Sequence, residues 1–161
     1  MEDKNIKQKD WLDKAQEKFF NKKYEHAETL LLGALEAKDD NPIDRHFVYS
    51  LYIKLYYKLR NERKDAIDKC IYYCKEDIKN LPIFLEAYQK AGNPLPACES
   101  VERLLIIYEA VGEFQKAINL CNYVIKLGLQ NRNDWYESQY KKKAKGDFRQ
   151  RLERLERKLK K

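Results

Sequence analysis

Two histidines and four cysteines are the residues of this chain best suited to chemistry, and their spacing limits what they can do. Neither His26 nor His46 has a Ser, Cys or carboxylate at a spacing that would build a base and nucleophile pair on a helix, so no catalytic set is assigned. Both are expected at the surface. Cys70 and Cys74 share a helix face at i and i+4, which suits two metal ligands, but zinc needs a second close pair and Cys98 and Cys121 lie 23 apart. All four cysteines are therefore read as reduced, Cys70 and Cys121 as small buried hydrophobes in one repeated slot and Cys70 with Cys74 as core packing, with no metal and no cofactor expected. Gly33, Gly92, Gly112, Gly128 and Gly146 are dispersed and form no phosphate-cradling loop. The run Phe47, Tyr49, Tyr52, Tyr56 and Tyr57, beside Lys54, Lys58 and Arg60, has the composition of a base-stacking platform. Such a run is more often a core face or protein interface with phenolic oxygens at its rim, and that reading is preferred.

The length of 161 residues suits one domain. Charged residues make up 37% of it, with only 5 Gly and 4 Pro, so few positions break helices and an all-α chain is expected. No 18-residue apolar run is present and Met1 to Lys9 is polar, so neither a membrane span nor a signal peptide is expected and the cytoplasm is the expected location.

The formal net charge of +7 is concentrated at one end: residues 131–161 hold 12 Lys or Arg against 5 Asp or Glu, and the preceding residues balance. Lys141, Lys142, Lys143, Lys145, Arg149, Arg151, Arg154, Arg157 and Lys158 thus form a basic surface, and nucleic acid is the alternative partner it suggests. Against that, Glu153 and Glu156 are interleaved, and Phe148, Leu152, Leu155 and Leu159 form an apolar seam that must be buried. A docked cap, or a homodimer through the seam, would leave a solvated basic face.

Three helical hairpins precede that segment. In the first, Trp11, Ala15 and Phe19 share one helix face, and Ala27, Leu31 and Ala34 share the facing one. Asp39, Asp40, Asn41 and Pro42 stop it, with Asn41 suited to cap the next helix and Pro42 to open it. The second hairpin carries the tyrosine run and then Ala66, Ile67, Cys70, Ile71, Cys74 and Ile78. It is degenerate, with Lys54 standing in Ala15's place. In the third, Leu104, Leu105, Tyr108, Gly112, Phe114, Ala117, Ile118, Cys121 and Val124 follow the pattern most clearly. The marker alanines Ala27, Ala66 and Ala117 lie 39 and 51 residues apart, so a short helix over residues 81–89 and a loop at Gly92 to Pro96 are read as an insertion. A further helix is expected around Trp135, Tyr136 and Tyr140, and a last one from Phe148 after a break at Gly146 and Asp147.

Trp11, Ala15, Tyr24, Ala27 and Ala34, then Tyr57 and Ala66, then Tyr108, Gly112, Phe114 and Ala117 resemble the tetratricopeptide-repeat family across about Lys9 to Leu129. The resemblance implies one domain over 1–161: a TPR-like right-handed α-superhelix of about three hairpins (9–38, 43–80, 99–128), an inserted helix and loop (81–98) and basic capping helices (131–161). It implies a non-enzymatic adaptor that takes a peptide or partner-protein segment in a concave groove. The groove would involve Leu12, Gln16, Phe19, Tyr52, Leu55, Lys58, Leu59, Glu102, Arg103, Ile106 and Glu109. The carboxylate clamp of the chaperone-tail-binding members maps to Leu12, Gln16, Tyr52, Glu99 and Arg103. Only Arg103 fits, so that specificity is not implied.

Overall fold

A computed structural model describes residues 6–94, 96–129 and 147–161 of the chain. The described residues are all-helical, and among them no helix is long and apolar enough to cross a membrane. Two compact units emerge, Met1–Tyr88 and Gln89–Lys161.

In the first unit, α1 (Gln8–Phe20) and α2 (Tyr24–Glu36) form a hairpin against which α3 (Pro42–Lys58) packs. Ala15, Ala27 and Ala34 are fully buried between the helices, so their small side chains set the close approach. Gly33 serves the same end more strictly, because a Cβ there would stand 2.7 Å from the Trp11 ring. The connection to α3 is clamped from behind: the Gln8 amide nitrogen donates to the Asp39 carbonyl at 3.0 Å and to its carboxylate at 3.1 Å. As the asparagine and proline predict, Asn41 Oδ1 accepts from the backbone N–H groups of Ile43 and Asp44, with Pro42 opening the helix.

The second hairpin differs from expectation in two ways. At the end of α3, Leu59 N–H donates to Leu55 O and Arg60 N–H to Tyr57 O, as Asn21 does to Glu17 and Lys22 to Phe19 at the end of α1. That alignment puts buried Ile53, not exposed Lys54, in Ala15's place, and the longer turn before α4 restores Ala66 to the alanine position. The separate inserted helix is absent as well: α4 runs unbroken from Ala66 to Lys90 through Pro82. Proline inside a helix costs about 3 kcal/mol, but burying Leu81, Phe84 and Leu85 recovers roughly 1.5–3 kcal/mol apiece, so packing overrides the local break.

In the second unit, α5 (Glu99–Ala110) and α6 (Phe114–Lys126) repeat the first hairpin's turn. Glu113 N–H donates to Tyr108 O at 2.9 Å, as Lys23 N–H does to Lys18 O at 2.8 Å. The preceding residue is left-handed in both, Gly112 at φ 77° and Lys22 at φ 62°. The final helix, α7 (Phe148–Lys160), starts at a reciprocal cap in which Asp147 and Gln150 exchange side-chain-to-backbone bonds at 2.9 Å. It packs against α6 with Phe148 and Leu155 buried. The helix expected around Trp135, Tyr136 and Tyr140 lies outside the described residues.

Candidate interaction surfaces

The exposed side of the first unit follows from the corrected register. Gln16 and Phe19 of α1 correspond to Lys54 and Tyr57 of α3, and all four reach solvent in whole or part. Next to them are Phe20, 77% exposed, and Lys58, exposed. The Arg60 guanidinium lies over the Tyr57 ring at 3.9 Å, a cation–π contact that holds both in place. Lys54 and Tyr57 were missed as surface partners because the sequence alignment was one residue out of step in α3. The same slip explains why Tyr52, Leu55 and Leu59, expected on the groove, are core residues at most 5% exposed. Leu12 is core too, 5% exposed.

Behind α3 the tyrosines form a stack rather than an open platform. Tyr52 and Tyr73 lie 4.0 Å apart and nearly parallel, with Tyr56 alongside at 5.7 Å from Tyr52. Burial pushes the Tyr52 and Tyr56 phenols above their ordinary range. Tyr56 donates its hydroxyl to Glu28 of α2, and the Arg63 guanidinium grips the same carboxylate at 2.9 and 3.2 Å. Burial alone would raise the Glu28 pKa, but Arg63 and the Tyr56 hydroxyl outweigh it and hold the carboxyl below its ordinary value. These contacts tie α2 to α3 and to the turn before α4. An open cleft of about 610 Å³ beside the turns is lined by Lys22, Lys23, Tyr24, Glu25, His26, Leu59, Glu62 and Arg63.

His26 is exposed, but His46, expected at the surface, is 2% exposed. Its Nδ1 lies 2.8 Å from Asp77 Oδ1, and its ring stacks on Phe84 at 3.8 Å. The pair braces α3 against α4 at Asp77, and the stack reaches Phe84, in the stretch that the sequence assigned to a separate helix over 81–89. Cys70, Cys74, Cys98 and Cys121 are all buried and outside any disulfide, and Cys70 donates to the Ile53 carbonyl at 3.6 Å. Among the described residues no group of three or more His, Cys, Asp or Glu could hold a metal ion.

In the second unit, α5 carries a stripe of acids spaced along one side. Glu99 is buried and contacts Arg103 at 3.4 Å, Glu102 is 3% exposed and Glu109 is partly covered. The helix α7 meets this stripe with cations. Arg151 Nη1 reaches Glu102 at 2.9 Å, while Arg154 and Lys158 reach Glu109 at 3.0 and 3.3 Å. Burial raises the Glu102 pKa despite Arg151; at Glu109 the charges of Arg154, Lys158 and Arg151 together overcome burial and lower it. Thus Glu102 and Glu109, expected to line an open groove, are occupied by the chain's own C-terminal helix, and Ile106 is half-buried beside them.

The expected basic surface is correspondingly reduced. Arg151 is buried and Arg154 half-buried, which corrects the solvated basic face, while Arg149, Arg157 and Lys158 remain exposed. Lys141, Lys142, Lys143 and Lys145 lie outside the described residues. Of the proposed dimer seam, Leu155 is fully buried within the chain, Leu152 is half-buried and Leu159 is 48% exposed. Comparison with protein-family models, with curated proteins and with solved structures gives no match.

Proposed function

We propose that this chain is a non-enzymatic interaction module of the TPR-like kind, a right-handed superhelical array that holds a peptide or partner-protein segment along the first helices of its hairpins. The observation that carries the reading is the shared build of the hairpins. Ala27, Ala66 and Ala117 recur at one position and are all fully buried, and the turns before Ala27 and Ala117 share their hydrogen bonds and left-handed residue. Such regularity makes scaffold repeats, whose exposed faces are free to vary with the partner.

In the first unit the contact surface is Gln16, Phe19, Phe20, Lys54, Tyr57 and Lys58, which pairs aromatic anchors with positive charge. It suits a segment with apolar anchors and acidic flanks. Buried cysteines outside any disulfide accord with a reducing cytoplasmic setting. The competing nucleic-acid reading loses support because Arg151, Arg154 and Lys158 are engaged by Glu102 and Glu109.

The test is capture of partners from a nuclease-treated native lysate by the full chain and by a Phe20→Asp, Lys54→Glu variant, whose changes fall on exposed side chains. A protein retained at moderate salt and lost with the variant is the expected result. Recovery of nucleic acid alone, from untreated lysate and only at low salt, would overturn it in favour of phosphate binding by the basic segment.

A further inference from the structure

The helix α7 meets α5 through a row of charges. Arg151, Arg154 and Lys158 recur at intervals of three and four and so form a single stripe, which meets Glu102 and Glu109, two helical turns apart on α5. Arg151 also approaches Glu109 at 3.7 Å, and the Lys158 ammonium sits 5.6 Å from the Phe114 ring centre. Phe148 and Leu155 supply the apolar anchors. Charge pattern, apolar spacing and helix length together specify a ligand, and α7 is that ligand in covalent form.

We propose that the α5–α6 face beneath α7 is a binding site for a basic amphipathic helix of a partner protein, with α7 its resident occupant. The inference deepens the interaction-module reading and rests on it for the existence of a partner. Two physical points favour exchange over permanent closure. A helix of 13 residues is marginal by itself, so α7 is ordered chiefly by docking. A buried ion pair gains hydration on both sides when it separates, so opening is easier than for an all-apolar helix of the same size. The uncovered face would carry unneutralised carboxylates at Glu102 and Glu109 between apolar seats. That chemistry selects Arg and Lys set between large apolar residues, and it rejects acidic or purely apolar helices.

The test uses a fluorescein-labelled peptide of residues 147–161 and the full chain with Leu155→Asp, which removes the resident helix's buried anchor. At about 0.15 M salt the peptide should bind this variant at least about tenfold more tightly than the wild-type chain, where the tethered α7 competes at high effective concentration. A peptide carrying Arg151→Glu should lose that binding. Equal affinity for both chains, or indifference to Arg151→Glu, overturns the proposal.

Because Leu155→Asp could unfold the unit, amide exchange of the wild-type chain gives an independent reading. Residues 148–160 should exchange at least about tenfold faster than the interior of α5 and α6, and exchange at a common rate overturns the proposal equally. If the peptide fails while a lysate partner still binds through Phe20 and Lys54, only this site falls. If the peptide binds and no lysate partner is found, the site stands and the first unit's surface is discarded.

Discussion

The guanidinium of Arg151 and the carboxylate of Glu102 meet at 2.9 Å with each side chain about 95% removed from solvent, across 49 residues of sequence. Removing Arg151 strands the buried Glu102 carboxylate, whereas removing Glu102 leaves Arg151 with Glu109 at 3.7 Å. Arg151→Ala is therefore expected to weaken α7 docking by about 3–5 kcal/mol, and Glu102→Leu with Arg151→Met to recover most of it. Amide exchange of α7 reads both. A double variant as weak as the single would show that charge stranding is not the cause.

Gly33 yields a prediction of unusual sign. Glycine to alanine in a helix interior normally stabilises by about 0.5–1 kcal/mol, but here the new methyl would meet the Trp11 ring. Gly33→Ala should instead destabilise the first unit by about 1–3 kcal/mol. Trp11→Leu should relieve part of that loss. A raised urea midpoint for Gly33→Ala would contradict the contact.

Pro82→Ala should stabilise the chain by about 1–3 kcal/mol, since it returns a backbone N–H to an unbroken α4 and changes no buried anchor. Thermal unfolding measures it. No gain would mean that the helix around position 82 has already adjusted to the proline.

At the alkaline end, burial pushes the Cys121 thiol from its ordinary value near 9 up to about 11. The neutral thiol is favoured in the folded chain, so its stabilisation is complete below the unfolded pKa and is lost as pH climbs from about 9 to 11, about 2–3 kcal/mol in all. The raised phenols of Tyr52 and Tyr56 act with the same sign at higher pH. Cys121→Val should flatten this alkaline limb, and native Cys121 should resist a thiol reagent at pH 8. Rapid labelling without unfolding would refute the burial.

Much of this architecture is written locally and was legible for that reason. Ala27, Ala66 and Ala117, the Asn41 and Pro42 pair, and the Asp147 start of α7 are decided by helix periodicity and capping. The misreadings have a common origin in distance. Pro82 looks like a boundary until Phe84 is seen stacked on His46, and Lys54 looks equivalent to Ala15 until the turn lengths are known. Glu102 and Glu109 read as groove lining because the cations that pair with them lie 42 to 49 residues away. No local pattern announces such a pairing.

The tyrosine stack also gives the molecule an optical signature. Tyr52, Tyr56 and Tyr73 are held nearly parallel at 4.0 to 6.0 Å, close enough for their transitions to couple, and they join α3 to α4. Near-ultraviolet circular dichroism from these rings should therefore follow the second hairpin in particular. An event confined to α7 would leave that band intact while the helical signal falls, so the chain carries a built-in reference against which its terminal helix can be watched.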